Sequence, residues 1–500
     1  MALCTILEIL PLFHPGNRLS RRKMRVDRLG KRLPNIEEAE KKQLETGAAL
    51  VQDDGRPKID KLRVPRGHLG RKPIMRAFKP LLLALFSTTA ISLSAFAQTT
   101  TVRMTWYSDG NEGEVMADLL KRFKEANKDI DVVLDEVPFK AINENLPVQV
   151  ASGQGPDIAR VVDLGGMSRF ALDLRPLVKD PAYWDANFGP FLNWMRVPGD
   201  NTSIPGLMTQ LTVTGAFVNK TLFDQAGVKL PKEGATWEDW AKAAQEVAKV
   251  TKAPFPIAID RSGHRFYSMA LSEGSQVFGG DGSPAVIDDG FKRAAQRVFD
   301  WHKSGVMSKE LWGSVSGAAY RGANDEFKNA QVVMYVSGSW QTGQFAKTIG
   351  DAFDWVAVPN PCGAGSCTSM PGGAGLMAMK STKNPQAVAR VMDYLASEPV
   401  MKEFYSRSLF VPGHVGLANQ GVPYPSASKP AEAALKVFTQ NATATTPTAY
   451  LTQGYTYNRI IFNAVISRLG QAIAGETTLD AAYERITADV TQQIAERTKK

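Results

Sequence analysis

Hydrophobic and polar positions alternate in TTTVRMTWYS, where Val102, Met104 and Trp106 share one face, which predicts a strand ending at the Asp109-Gly110 turn. The period then lengthens to that of a helix. In EVMADLLKRFKEAN, Val115, Met116, Leu119, Leu120 and Phe123 recur at three and four, giving one buried stripe with Lys121, Arg122 and Lys124 outside it. IDVVLDEVP reads as a second strand, and Gly155-Pro156 breaks the chain before a third, DIARVV. This β-α-β-α-β order implies a mainly parallel sheet with helices on its faces, and such sheets take ligands at the carboxyl ends of their strands. The loops at Trp106 to Glu112 and Val162 to Gly166 are therefore the places to look.

A second unit starts near Leu211. LTVTGAFVNK is strand-like, FDQAGVKLP gives a short helix ending at Gly227, and Thr236 opens a helix as N-cap with an acidic residue at N3. FKRAAQRVFDWHKSG forms another amphipathic helix stopped by Gly305. AQVVMYVSGSW is a buried strand running into a Ser-Gly-Ser-Trp loop, and the tail from Tyr455 to Ala495 is helical with a break at Gly475. No short-period repeat or low-complexity tract interrupts this order.

Upstream of these elements, residues 75–97 (MRAFKPLLLALFSTTAISLSAFA) read as a secretory signal peptide. Arg76 and Lys79 form its basic start, Leu81 to Leu93 its apolar stretch, and Ala95-Phe96-Ala97 a small-x-small cleavage site. The stretch is too short for a bilayer, which needs about 20 residues. The expected mature protein starts at Gln98, is periplasmic, and lacks a cysteine there for lipid attachment.

Charge supports that cut. The chain carries 59 basic and 50 acidic residues, of which 19 and 9 fall in residues 1–97, leaving 40 and 41 beyond them. The body is thus about neutral, and the high pI is no sign of a nucleic-acid partner. Residues 1–74 read as a non-native upstream translation or a disordered basic extension, with a nucleic-acid arm as the third alternative.

The remaining 403 residues suggest two or three domains rather than one core. Cys362 and Cys367 in PCGAGSC are expected to form a small disulfide in an exported protein; a metal site is the alternative, although structural zinc takes four ligands.

Five motifs in order, AFVNKTLFDQAGVKLP, TWEDWAKAAQEV, VVMYVSGSW, PGGAGLMAMKSTKNPQAVARVMDYLASEP and a helix pair with AGETTLDAA, resemble the bacterial extracellular solute-binding proteins of carbohydrate ABC importers. The resemblance covers nearly all of residues 98–500. It implies an α/β fold of the two-lobed, type II periplasmic-binding-protein kind, maltose-binding-protein-like, with a hinged interlobe cleft that closes on its ligand. By order of elements, residues 98–210 and 361–410 form the N-terminal lobe and 211–360 and 411–500 the C-terminal lobe. Crossings are then expected near Thr209 to Gly215, Trp355 to Asn360 and Phe410 to His414.

Sugar recognition requires flat apolar faces against the ring and planar polar groups that bond hydroxyls in pairs. The resemblance places Trp340 of SGSW on the ligand, against the alternative of core packing. Further candidates are Trp106 and Tyr107, one of which alternation sends inward; Asp163, as hydroxyl acceptor or helix cap; Gln210; Gly372 and Gly373; and Tyr455 and Tyr457. Arg261, His264 and Arg265 in DRSGHRF suit an anionic ligand such as a uronate or glycerol phosphate, or are solvated loop charges.

A secreted glycosidase would need two facing carboxylates, with Asp109, Glu112 and Asp163 the available acids. There is no HExxH, GxSxG, Walker loop or Cys/His cluster. The expectation is a non-enzymatic, monomeric binder without cofactor or metal, whose partners are a small carbohydrate and the membrane permease of an ABC importer, and not nucleic acid.

Overall fold

Eight strands are arranged in one continuous sheet in a computed structural model that describes residues 99–499. The basic segment 1–74, the signal peptide 75–97 and its cleavage site lie outside the described residues. The strands are β1 (Thr100–Trp106), β2 (Ile130–Glu136), β3 (Ile158–Val161), β4 (Gly206–Asn219), β5 (Phe255–Ile259), β6 (Val332–Gly338), β7 (Trp355–Val358) and β8 (Pro371–Ala378). Their order is β2-β1-β3-β8-β4-β6-β5, with β7 also paired to β4.

The first lobe follows the periodicity of its sequence. β1 buries Val102, Met104 and Trp106 and pairs in parallel with β2 and β3. Helix α1 (Glu112–Ala126) turns Val115, Met116, Leu119, Leu120 and Phe123 onto the sheet, and α2 (Leu164–Met167) follows β3 directly. In the second lobe, α3 (Trp237–Thr251) opens with a full capping box between Thr236 and Asp239. Helix α4 (Gly263–Ser272) follows β5, and α5 (Asp289–Ser304) ends on left-handed Gly305. Later helices used below are α6 (Val415–Gln420), α7 (Pro447–Gly454), α8 (Asn458–Ala474) and α9 (Leu479–Thr498). Gly475, left-handed, separates the last two. Among the described residues no helix is long and apolar enough to cross a membrane.

Two separate apolar cores divide the sheet. One holds Met104, Leu119, Phe123, Trp184, Leu376 and Phe404. The other is built around Phe217, whose ring meets Phe345, Phe438, Trp355 and Phe327 at centroid distances of 4.9, 5.1, 5.7 and 6.4 Å. β4 joins them: Leu207 and Met208 lie in the first core, and Val213 to Val218 in the second.

Two of the expected crossings need correction. The second is not at Trp355 to Asn360, because β7 stays antiparallel to Ala216–Asn219 inside the second lobe. The chain crosses in β8, which runs antiparallel to β4 from Pro371, opposite Val213, to Met377, opposite Gly206. Residues 361–370 therefore pack with the second lobe, as buried Met370 does. At the third crossing, Leu409 and Val411 touch the second core and Phe410 the first, and α6 then returns Leu417 to the first core. From Tyr424 and Ala427 onward the chain packs mainly on the second core, with Tyr450 reaching back to the first.

Cys362 and Cys367 are bonded to each other, with Cα atoms 3.9 Å apart. Their loop lies on the end of α4, where Gly365 and Ser366 donate backbone N–H groups to the Ser272 carbonyl at 2.8 and 3.0 Å.

The β4–β8 register slips between Met208 and Gln210, a bulge where the strands pass from one core to the other. Gly373 sits opposite with φ of +151°, and a Cβ there would fall on the Gln210 carbonyl oxygen and within 2.5 Å of the Met208 methyl. Only glycine fits both the dihedral and the approach. Gly373→Ala should therefore cost about 1–3 kcal/mol of stability. Denaturant unfolding checks this, and a wild-type midpoint for the variant would show that the crossing is not constrained.

Candidate ligand-binding site

The carboxyl ends of β1 and β3 in one lobe, and of β5 and β6 in the other, carry clusters of buried charge on either side of the β4–β8 crossing. In the first lobe the organiser is Arg160, fully buried in β3. It donates to Glu112 Oε1 at 2.9 Å, to Asp109 Oδ2 at 3.4 Å and to the Tyr107 carbonyl. Its guanidinium lies 4.1 Å from the centre of the Tyr107 ring and 4.8 Å from that of Trp106. Glu112 also accepts from the backbone N–H groups of Asp109 and Gly110, so the turn after β1 is fixed from three directions. Asp109 keeps 23% of its side chain exposed. Partial burial, with Glu112 nearby, pushes its carboxyl up to about 6 against the opposing pull of Arg160, and the Gln210 amide faces it.

In the second lobe, apolar β5 runs into Asp260, which is fully buried. Its carboxylate accepts from Ser337 Oγ at 2.7 Å, from the Tyr320 hydroxyl at 3.0 Å and from the Tyr335 hydroxyl, and Arg265 Nε lies 3.7 Å away. Burial still pushes the Asp260 carboxyl up. Arg265, in the first turn of α4, donates Nη1 to Thr214 Oγ1 at 3.1 Å and sets its guanidinium 4.4 Å from the centre of the Trp340 ring. Trp340 follows β6 and rests against Gly338, where any side chain would collide with the ring. His264 packs edge-on to Phe462 at 4.8 Å and approaches the crossing, since a Cβ on Gly372 would be 2.9 Å from its Cε1. Burial, aided by Arg265 and Arg459, holds its imidazole well below the usual range and hence neutral near pH 7.

The two lobes also touch each other. A Cβ on Gly165, beyond β3, would lie 2.8 Å from the Thr456 Cα, so the turn at the head of α2 abuts the loop before α8. Nearby, Tyr450 of α7 donates to the Pro190 carbonyl, and its ring is 5.3 Å from that of Trp194.

The structure sorts the expected residues. Trp340, half-buried, and Asp109, 23% exposed, each keep part of the side chain open. Trp106 does not: it is 0% exposed and edge-on to Phe404, because alternation puts it on the face of Val102 and Met104. Tyr107 is also buried, between Phe139 and Arg160. Asp163 accepts from the Gly166 N–H at 3.1 Å, the helix-capping arrangement. Gln210 is buried at the bulge with no partner for its Oε1. Gly372 and Gly373 serve close packing at the crossing. Tyr455 packs on Phe278 and Tyr457, the latter immediately before α8.

Arg261 is not available to an anion. Its guanidinium donates to the carbonyls of Trp312, Gly317, Ala319 and Ile466 at 3.2, 2.6, 2.5 and 3.1 Å. Glu112 is fully buried against Arg160 and Asp163 caps a helix, so two of the three acids considered for glycosidase chemistry already have structural partners. Sequence reasoning missed Arg160, Asp260 and Tyr320. Its available signals were a lone Arg inside the apolar run of DIARVV and an Asp closing FPIAID; nothing marked Tyr320.

Similarity to known proteins fits this geometry. The chain is 25% identical over 265 residues to the arabinooligosaccharide-binding protein of Bacillus subtilis, a match spanning 51% of this chain and only 58% of that protein. It is 22% identical over 352 residues to a putative binding protein of Brucella abortus, covering 68% of this chain and 82% of the relative. Among solved structures, an ABC substrate-binding protein from Listeria monocytogenes in complex with cycloalternan superposes with a TM-score of 0.65 at 16% identity, over 80% of this chain and all of that one. The GacH receptor of Streptomyces glaucescens, solved unliganded and with acarbose, does so with a TM-score of 0.65 at 19% identity, over 78% and 96%. These likenesses establish the two-lobed fold. Residues 107–402, more than half of the chain, match the bacterial extracellular solute-binding protein family, and the protein belongs to that family.

Proposed function

We propose that this protein is the substrate-binding component of an ABC importer, exported to the periplasm, where it captures a sugar between its lobes and delivers it unchanged to the membrane permease. The observation that carries this reading is the Trp340 face, backed by the Arg265 guanidinium and set at the end of a strand beside the interlobe crossing. A flat apolar ring flanked by ionised, hydrogen-bonding groups is what a sugar's C–H face and hydroxyls require. The name of one relative, the arabinooligosaccharide-binding protein, supports the ligand class. In this reading Asp109 and Gln210 meet hydroxyls from the first lobe, and Tyr320, 47% exposed, adds a second ring from the other. Trp106, being core, supports the site only from behind. The protein acts as a monomer, with neither nucleic acid nor cofactor.

Capture follows from the two cores. Each lobe holds its own groups rigidly, so a ligand that contacts both is bound best when they are shut, and it shifts the open-closed equilibrium by that difference. Of the three acids considered, Glu112 is held by Arg160 and Asp163 caps a helix, which supports binding without turnover.

A thermal-shift screen across arabino- and malto-oligosaccharides, monosaccharides, uronates and sugar phosphates should give one responding class; a ligand at 100 times its Kd adds about 2.7 kcal/mol. With that class in hand, Trp340→Ala should weaken binding by about 1–3 kcal/mol while unfolding as the wild type does. Wild-type affinity in calorimetry would remove Trp340 from the site. A hydroxyl bonded to Asp109 favours its ionised form, so affinity should be highest above about pH 6 and fall as pH drops through it. Asp109→Asn should bind more weakly at neutral pH and lose that step, whereas an identical pH profile in the variant would exclude Asp109.

A further inference from the structure

Asp260 and Arg261 are adjacent at the end of β5, are both buried, and hold the same loop by different parts. Arg261 gathers the carbonyls of Trp312, Gly317 and Ala319, fixing the backbone of residues 312–319. Asp260 takes the hydroxyl of Tyr320, the next residue, whose ring is nevertheless 47% exposed. An exposed aromatic ring tethered by its hydroxyl to a buried carboxylate is held in one orientation instead of lying on the surface.

The same carboxylate reaches the Trp340 platform. Oδ2 is shared by Ser337 Oγ at 2.7 Å, Tyr320 OH at 3.0 Å and Arg265 Nε at 3.7 Å. Oδ1 takes the Tyr335 hydroxyl, which itself accepts the Ala323 N–H at 3.0 Å. Arg265 is pinned between this carboxylate and Thr214, and from there covers the Trp340 ring at 4.4 Å. Arg265 is 6% exposed and its Nε makes no hydrogen bond, so the ion pair with Asp260 and the contact with Thr214 are what fix the guanidinium. Trp340 cannot settle closer to the strand than Gly338 permits. Strand β6 supplies Tyr335 and Ser337, α4 supplies Arg265, and the 312–320 loop supplies Tyr320: three separate segments converge on the carboxylate that follows β5.

We propose that Asp260 is the positioning residue of the second lobe, holding Trp340 through Arg265 and Tyr320 directly, so that both rings face the ligand in fixed orientations. The proposal rests on the sugar-binding reading for its purpose, but not for its geometry. A carboxylate with this many donors repays its desolvation only when all are present, which couples the two rings to one another.

Acrylamide quenching of tryptophan emission tests this without any sugar. The chain has nine tryptophans, so the spectrum of Trp340→Phe is subtracted from that of the wild type, and likewise in each variant background, to isolate the Trp340 component. In Asp260→Asn, and less so in the surface variant Tyr320→Phe, that component should become more quenchable and move to longer wavelength, with far-ultraviolet circular dichroism unchanged. A role confined to stability would lower the Tm and leave the Trp340 component where it was, which would overturn the proposal. Should Asp260→Asn fail to fold, Tyr320→Phe decides alone: an unchanged component there overturns it equally. Failure of the sugar screen leaves this measurement readable, and failure here leaves the sugar-binding reading standing.

Discussion

The antiparallel pairing of β4 with β8 is the constraint on which everything else depends. β4 is 14 residues long and belongs to both lobes, with Leu207 and Met208 in one core and Val213 to Val218 in the other. β8 returns along it from Pro371 to the first lobe. Because both strands are continuous through the crossing, the lobes cannot drift apart, yet the slip between Met208 and Gln210 and the extreme dihedral of Gly373 put irregular backbone at that point. A regular ladder resists bending; a bulge facing a glycine is where bending is easiest. Gln210, the residue at the slip, also helps to lower the Asp109 pKa against its burial, which links the crossing to the first-lobe cluster.

Each lobe solves the same electrostatic problem at its strand ends. A buried arginine in the first, Arg160, is balanced by Glu112 and Asp109; a buried aspartate in the second, Asp260, is balanced by Arg265 and three hydroxyls. Buried ion pairs contribute little net stability against apolar replacements. What they contribute here is fixed orientation: the guanidinium of Arg160 flattens Tyr107, and that of Arg265 covers Trp340. The family fold supplies the two faces, and these pairs decide what the faces present.

Much of this was legible in the chain. The period-two run before Trp106, the stripe from Val115 to Phe123, the Thr236 cap and the glycine stops at 305 and 475 are local signals, and the elements form where those signals lie. The return crossing was not legible, because β7 and β8 are both short apolar runs and only pairing with β4 distinguishes the one that stays from the one that crosses. Among site residues, Trp106 shows how far local pattern reaches: alternation requires one of Trp106 and Tyr107 to turn inward, but both end up buried, since Arg160 from another strand covers the second. Arg261 and Arg265 look alike in DRSGHRF, yet one staples carbonyls and the other backs an aromatic ring. That difference is set by the 312–319 loop for Arg261 and by Thr214 and Trp340 for Arg265, all distant in sequence and beyond any local reading.

The central claim is capture by closure without chemistry, and small-angle scattering on the protein with and without a sugar identified by the screen tests it most directly. The account predicts a smaller radius of gyration at saturation, with the sugar recovered intact from the same sample. An unchanged radius at saturation, or recovery of hydrolysed sugar, would contradict it.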